Sequence, residues 1–144
     1  MGKDAMSMDL SDLEDLQLDM EDAVKKLPEL TERHMGRATL IVERQAKLRA
    51  TTYPRVRTGR LRADIQPEVK TLGGEVVGMV GNTVFYAPYQ ELGTRYIEPR
   101  YYLQGALEDK EDEVLKELDR VLEEVQVALE GEGGTIVAGS WERI

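Results

Sequence analysis

Few residues of this chain have the type and spacing that chemistry requires. The single histidine, His34, belongs to no His-Glu-x-x-His pattern, and the chain contains no cysteine. A zinc site needs such ligands in a recognisable spacing, so we predict that His34 is a structural or surface residue. The lack of thiols also excludes disulfides and cysteine nucleophiles. We therefore expect no metal and no other cofactor.

The remaining motif-like stretches do not indicate catalysis. The glycines at 73, 74 and 78 lack the spacing of a dinucleotide-binding loop, and β-branched residues follow them, so they predict a turn. Carboxylate pairs such as Asp109 and Asp112 lie in a uniformly acidic segment with no apolar pocket that could separate their pKa values. No nucleophile elbow or phosphate-binding loop occurs. The sequence predicts a protein that is not an enzyme.

A basic segment in the middle of the chain could bind phosphate. It begins at Arg33 and ends at Arg62, and it holds nine bases against one acid. Tyr53 lies among its arginines, an arrangement found in nucleic-acid-binding proteins. The hypothesis that we favour is that these arginines pair with acids of the same or an adjacent subunit. A nucleic-acid-binding module is the alternative, and its binding would fall steeply with added salt. The arginines nearest Tyr53 are Arg49, Arg55, Arg57, Arg60 and Arg62.

The charge of the chain is distributed in blocks. The net charge is −9 over 144 residues, with eight acids in residues 4–22 and eleven acids against three bases in residues 108–132. These acids could neutralise the basic segment within the fold, or acidic and basic surfaces of adjacent subunits could meet. No apolar run approaches the roughly 20 residues of a membrane span, and residues 1–9 lack the apolar core of a secretory signal. We expect no membrane association and assembly in the cytoplasm.

Apolar periodicity predicts the elements that position these residues. Helical spacing predicts one helix over residues 11–27, which Pro28 stops or kinks, and a second up to about residue 50. Residues 65–72 and 75–80 are rich in β-branched side chains and flank Gly73 and Gly74, which predicts an antiparallel hairpin in a sheet with one or two further strands. A short helix over residues 84–92 would end at Gly93 as a left-handed cap.

The longest helix is predicted to begin at Pro99 and to end at the glycines that start with Gly131. The expected fold is α+β, with N-terminal helices and a long C-terminal helix packed on a small antiparallel sheet. The length suits a single domain over residues 11–130. A flexible N-terminus over residues 1–10 would precede it, and a C-terminal arm over residues 131–144 would follow it.

Three short motifs occur in order along this domain. The first contains Thr58, Gly59, Leu61 and Arg62; the second contains Tyr86, Ala87, Tyr89, Glu91, Gly93 and Thr94; the third contains Pro99, Leu103, Ala106 and Leu107. Together they resemble the tail-completion or neck proteins that join head to tail in long-tailed bacteriophages. The resemblance spans roughly residues 30–120. It covers neither the acidic N-terminal helix nor the segment after Gly131.

The resemblance implies a non-enzymatic structural protein of the virion neck. Such a protein would form a homo-oligomeric ring, sixfold or twelvefold, that completes the tail and joins it to the head connector. Its partners would be the connector or adaptor and the tail terminator or tail tube, and genome DNA would pass through the lumen without sequence-specific binding. A tail terminator or a head-closure (stopper) ring of the same connector is the alternative within this class.

The candidate interface residues combine polar ends with contact area. They are Arg55, Arg57, Arg60, Arg62, Tyr89, Glu91, Arg95 and Trp141. Tyr86 and Leu92 are expected in the core, whereas the tyrosine, glutamate and arginine of the second motif suit subunit contacts. The C-terminal arm, with Trp141 as its anchor, is expected to dock on a neighbouring subunit or neck protein.

Overall fold

One long helix organises the fold. In this computed structural model, which describes residues 10–52 and 59–130, helix α1 spans Leu10–Thr52 without interruption. The prediction that Pro28 could stop the helix is therefore wrong. A proline inside a helix loses one hydrogen bond and costs about 3 kcal/mol. Helix α1 packs against three of the later helices and against both strands, and this packing offsets the cost.

The predicted hairpin is confirmed. Strand β1 spans Gln66–Leu72 and strand β2 spans Glu75–Gly81, and they pair antiparallel from Leu72 opposite Glu75 to Gln66 opposite Gly81. Gly73 and Gly74 have φ of 57° and 86°, as a two-residue turn with positive φ at both central positions requires. In residues 10–52 and 59–130 the sheet contains these two strands alone, so the one or two further strands that we predicted are not found there.

The C-terminal half of the fold is helical. It comprises α2 (Arg60–Ala63), α3 (Ala87–Leu92), α4 (Tyr102–Asp109) and α5 (Glu111–Glu130). The single long helix predicted from Pro99 is wrong, because helix starts only at Tyr102 and a break at Lys110 divides it. Tyr101 has left-handed φ and ψ of 47° and 42°, which are incompatible with continued right-handed helix. The break gives α4 and α5 separate packing positions on α1.

The core lies between the C-terminal half of α1, α4 and the start of the hairpin. It consists of Val42, Ala46, Ala50, Ile65, Tyr102 and Ala106. Alanines on both helices let the backbones of α1 and α4 approach closely around the single large ring of Tyr102. Gly78 similarly lets β2 approach α1, since a Cβ there would lie 2.7 Å from Met35 Sδ. The α+β class is thus confirmed, with helix predominating.

Several predicted residues lie outside the described part of the chain. They are the N-terminal residues 1–9, the arginines Arg55 and Arg57, Thr58 of the first motif, and the C-terminal residues 131–144 with Trp141. Within residues 10–52 and 59–130, no helix is long and apolar enough to cross a membrane.

Candidate assembly surface

The second and third motifs are joined inside one subunit. Glu91, at the end of α3, accepts the backbone N–H of Leu103 at 2.9 Å and that of Gln104 at 2.8 Å. These N–H groups belong to the first turn of α4, which has no partner for them within the helix. The Tyr101 N–H also donates to the Glu91 carbonyl at 3.1 Å. Both carboxylate oxygens of Glu91 are therefore used to cap α4, while its interface role stays a prediction.

The first and third motifs meet through Asn82. Its Oδ1 accepts the Tyr102 hydroxyl at 2.6 Å, and its Nδ2 donates to the Leu61 carbonyl at 2.8 Å. Tyr102 is 1 % exposed. Burial, helped by the charge of Glu91, raises the pKa of Tyr102, so the phenol keeps its proton and remains a donor. One asparagine side chain thus holds α2 against α4.

Asp64 fixes the segment between β2 and α3. Its carboxylate accepts the Thr83 N–H at 2.6 Å, the Thr83 hydroxyl at 2.7 Å and the Val84 N–H at 2.9 Å. The Val84 bond, followed by those from Thr83, holds the pKa of Asp64 below its usual range. Sequence analysis missed Asp64 and Asn82, because each lies singly at the end of an element and no pattern marks it. Together these bonds bring all three motifs to one end of the molecule.

The motif residues themselves form the turns and contacts of this end. Gly59 has φ of 68° before α2, and Ala87 and Ala106 are buried. The Thr94 hydroxyl accepts the N–H groups of Tyr96 and Ile97 at 3.2 and 3.1 Å. Leu61 and Leu103 pack against the core, whereas Leu107 is 52 % exposed.

Around α3 the same end exposes large side chains. We call Phe85, Tyr89, Leu92 and Tyr96 the aromatic face; they are 85, 52, 65 and 89 % exposed. The Arg95 guanidinium lies 6.0 Å from the centroid of the Tyr96 ring. Large aromatic side chains with a polar end are enriched in protein interfaces. An exposed group of this kind has the composition of a contact surface.

The predicted interface residues divide between this surface and the interior. Tyr89 lies on the aromatic face and Arg95 beside it, both exposed, and Arg60 and Arg62 are exposed on α2. The core prediction for Leu92 is wrong, because α3 has only six residues and buries just Ala87. Tyr86 is half-buried and meets the Phe85 ring edge to face at 5.4 Å. Phe85 and Tyr96, which lie before and after α3, were missed, since sequence alone does not tell which aromatic residues beside a short helix are exposed.

Gly93 controls how the chain leaves α3. Its φ of 76° is positive as predicted, but its ψ of 175° is not that of a left-handed helical cap. This combination is essentially restricted to glycine, and a Cβ there would lie 2.7 Å from the Ile97 oxygen and the Pro99 nitrogen. The position therefore excludes side chains for two independent reasons.

We expect Gly93→Ala to lower the free energy of unfolding by about 1–3 kcal/mol, because the backbone strain has no relief. Denaturant titration followed by circular dichroism measures this loss. Gly36→Ala is the matched control: it lies within α1, has no atom within 4 Å of a built Cβ, and should stabilise the helix slightly. Equal midpoints for Gly93→Ala and wild type would contradict the described turn.

Part of the basic segment pairs with acids of the same subunit. Arg33 and Arg37 of α1 pair with Glu124 and Glu117 of α5. Arg49 donates from Nε to Asp109 Oδ2 at 2.6 Å and from a terminal nitrogen to Oδ1 at 3.0 Å. The hydrogen bond from Arg49 lowers the pKa of Asp109 to about 2.

Of the five arginines nearest Tyr53, Arg49 thus pairs with an acid of its own subunit, and pairing of the others within or between subunits stays a prediction. His34 is buried between α1 and α5. In the described residues, no group of three or more histidine or carboxylate side chains could hold a metal ion.

Comparison with protein families matches residues 14–93 to the HK97-gp10-like family, described as "Bacteriophage HK97-gp10, putative tail-component". The match covers more than half of the chain, from the first turns of α1 to Gly93, so it includes the acidic N-terminal helix and ends before the third motif. No curated protein and no solved structure matches the chain significantly. The matched region contains the first motif, the hairpin, the second motif up to Gly93, and α1 from its fifth residue onward. The chain therefore belongs to the HK97-gp10-like family.

Proposed function

We propose that this protein is a non-enzymatic subunit of a closed ring in the phage neck, which completes the tail and joins it to the head connector. Membership of a family of phage tail components supports a structural role in the virion, with other tail or head proteins as partners. The observation that carries the ring proposal is the exposed aromatic face formed by Phe85, Tyr89, Leu92 and Tyr96.

The aromatic face suits a permanent contact between copies. Four large side chains, all at least half exposed, lie within twelve residues of sequence. Their backbone is fixed by Gly93, by the Glu91 cap on α4 and by the turn at Thr94. A surface with a fixed backbone loses little conformational entropy on association. Aromatic residues contribute much of the binding energy of interfaces. A heterologous contact repeated around an axis closes into a ring when the rotation between neighbouring copies divides a full turn.

The nucleic-acid alternative has less support. Three arginines of the basic segment, Arg33, Arg37 and Arg49, already pair with carboxylates of α4 and α5. Phosphate binding by these three arginines would require their ion pairs to be broken. We therefore propose that genome DNA passes through the ring without sequence-specific binding, and that the proteins of the connector and tail are the partners.

The test combines sedimentation and electron microscopy of the purified protein. Wild type should form rings with a central hole, alone or when mixed with neck proteins. A double variant, Phe85→Ser with Tyr96→Ser, should remain monomeric with unchanged circular dichroism. The control, Leu40→Ser with Leu48→Ser, changes two exposed leucines of α1 and should still form rings.

A wild type that sediments only as a monomer, both alone and with neck proteins, would contradict the ring. If the double variant Phe85→Ser with Tyr96→Ser still assembles, the aromatic face is not the contact between subunits. Incubation with separate heads and tails distinguishes the layer: a tail terminator binds tails, a stopper binds filled heads, and a tail-completion protein restores their joining.

A further inference from the structure

The N-terminal part of α1 carries an apolar stripe. Leu13, Leu16, Met20 and Val24 recur at spacings of three and four residues, so they share one face of the helix. Leu13, Met20 and Val24 are 45, 53 and 65 % exposed. Together with the flanking polar residues Gln17, Glu21 and Lys25 of the same helix they line a shallow, open groove. We call the four apolar residues the apolar stripe.

Helix α5 ends where the apolar stripe begins. His34 of α1 contacts both Glu117 and Glu124 of the antiparallel α5. Because both helices have the same rise per residue, these two contacts place Glu130, the last residue of α5, opposite a position between residues 21 and 28 of α1. The helix before residue 21 therefore extends past α5, and the chain leaves α5 close to Val24.

The chain that follows is long enough to cover the stripe. Fourteen residues follow Glu130, and extended they could span about 46 Å, whereas Leu13 and Val24 are about 16 Å apart along α1. Glycines at 131, 133 and 134 permit a sharp change of direction. The apolar side chains that come after them are Ile136, Val137, Trp141 and Ile144.

We propose that the C-terminal arm folds back onto the apolar stripe of its own chain, with Trp141 in the groove. A second copy of the stripe is the competing occupant. Residues 10–22 carry six acids and no base, so pairing two copies would bring twelve acids together. Residues 131–144 carry two acids and one base. The arm thus offers apolar contact with much less repulsion, and docking within one chain replaces the expected docking on a neighbouring subunit.

Trp141 is the only tryptophan of the chain, so its fluorescence reports the arm directly in the full-length protein. We expect a blue-shifted emission in wild type that does not change on dilution. Met20→Glu should shift the emission to that of a solvent-exposed tryptophan and increase its quenching by acrylamide. Leu18→Glu is the matched control, since Leu18 is 60 % exposed on the same helix segment but does not line the groove; its emission should equal that of wild type.

Circular dichroism of each variant establishes that α1 is intact; if Met20→Glu fails to fold, Val24→Glu replaces it. A solvent-exposed emission in wild type, or one unaffected by the stripe variant, overturns the proposal. A blue shift that disappears on dilution also overturns it, because the arm would then be held by another chain. The measurement is made on dilute monomer, so its outcome is independent of ring formation.

Discussion

Replacing His34 by leucine is expected to lower the free energy of unfolding by about 3 kcal/mol. His34 is fully buried, with Nδ1 2.8 Å from Glu117 and Nε2 2.9 Å from Glu124. Each ring nitrogen therefore lies within hydrogen-bonding distance of one carboxylate, and the two carboxylates lie on α5. Leucine would leave the buried carboxylate of Glu117 without this partner, and breaking a buried pair costs about 3–5 kcal/mol. Arg120 still donates to Glu117 at 2.9 Å in this variant, so we expect a loss near the lower end of this range.

The control for this prediction removes both partners of the buried contact. In His34→Leu with Glu117→Met, no buried carboxylate loses its partner, and a hydrophobic replacement of a buried pair is often close to neutral. Denaturant titrations should show the double variant recovering most of the stability that His34→Leu loses. If His34→Leu is as stable as wild type, or if the double variant is no better than the single one, the ion cluster does not hold α1 and α5 together.

The same cluster predicts a dependence on pH. Burial raises the pKa of Glu117, but the His34 hydrogen bond and the charge of Arg120 outweigh it, and the net pKa lies below the ordinary 4.5. The His34 hydrogen bond is also the main cause of the lowered pKa of Glu124. Carboxyls with lowered folded pKa values contribute stability above 4.5 that is lost as pH falls through those values. Wild type should therefore lose stability more steeply than His34→Leu on acidification below 4.5.

The second large effect is expected for Tyr102→Ala, with a loss of about 3–5 kcal/mol from the cavity left by a buried aromatic ring. Tyr102→Phe is the control: it keeps the ring and removes only the hydroxyl bond to Asn82, which should cost about 1 kcal/mol. Thermal and denaturant unfolding of both variants measures the two losses. Because the Tyr102 ring fills the core between α1 and α4, the alanine variant should assemble poorly, whereas the phenylalanine variant, which keeps the ring, should assemble normally. Equal stability of the two variants would contradict the burial of the Tyr102 ring in the core.

The sequence alone determined the features that depend on neighbouring residues. Gly73 and Gly74 specify the hairpin turn, because positive φ is a property of the residue itself. The positive φ of Gly93 was likewise predictable from its place after a short helix. The ordered motifs were sufficient to indicate a family of phage tail components, and the match over residues 14–93 contains the first motif and most of the second.

Only the tertiary structure decided the features that depend on distant residues. Helix α1 continues through Pro28 because packing of its second half outweighs a local cost. His34 is structural, as predicted, but its carboxylate partners lie 83 and 90 residues away, and helical periodicity does not encode such a pairing. Leu92 is exposed because α3 has only six residues and buries only Ala87 against the rest of the fold. Burial and charge pairing depend on how the elements pack together, whereas turn conformation depends on one or two residues, and for this reason the hairpin was predicted while the ion cluster and the aromatic face were not.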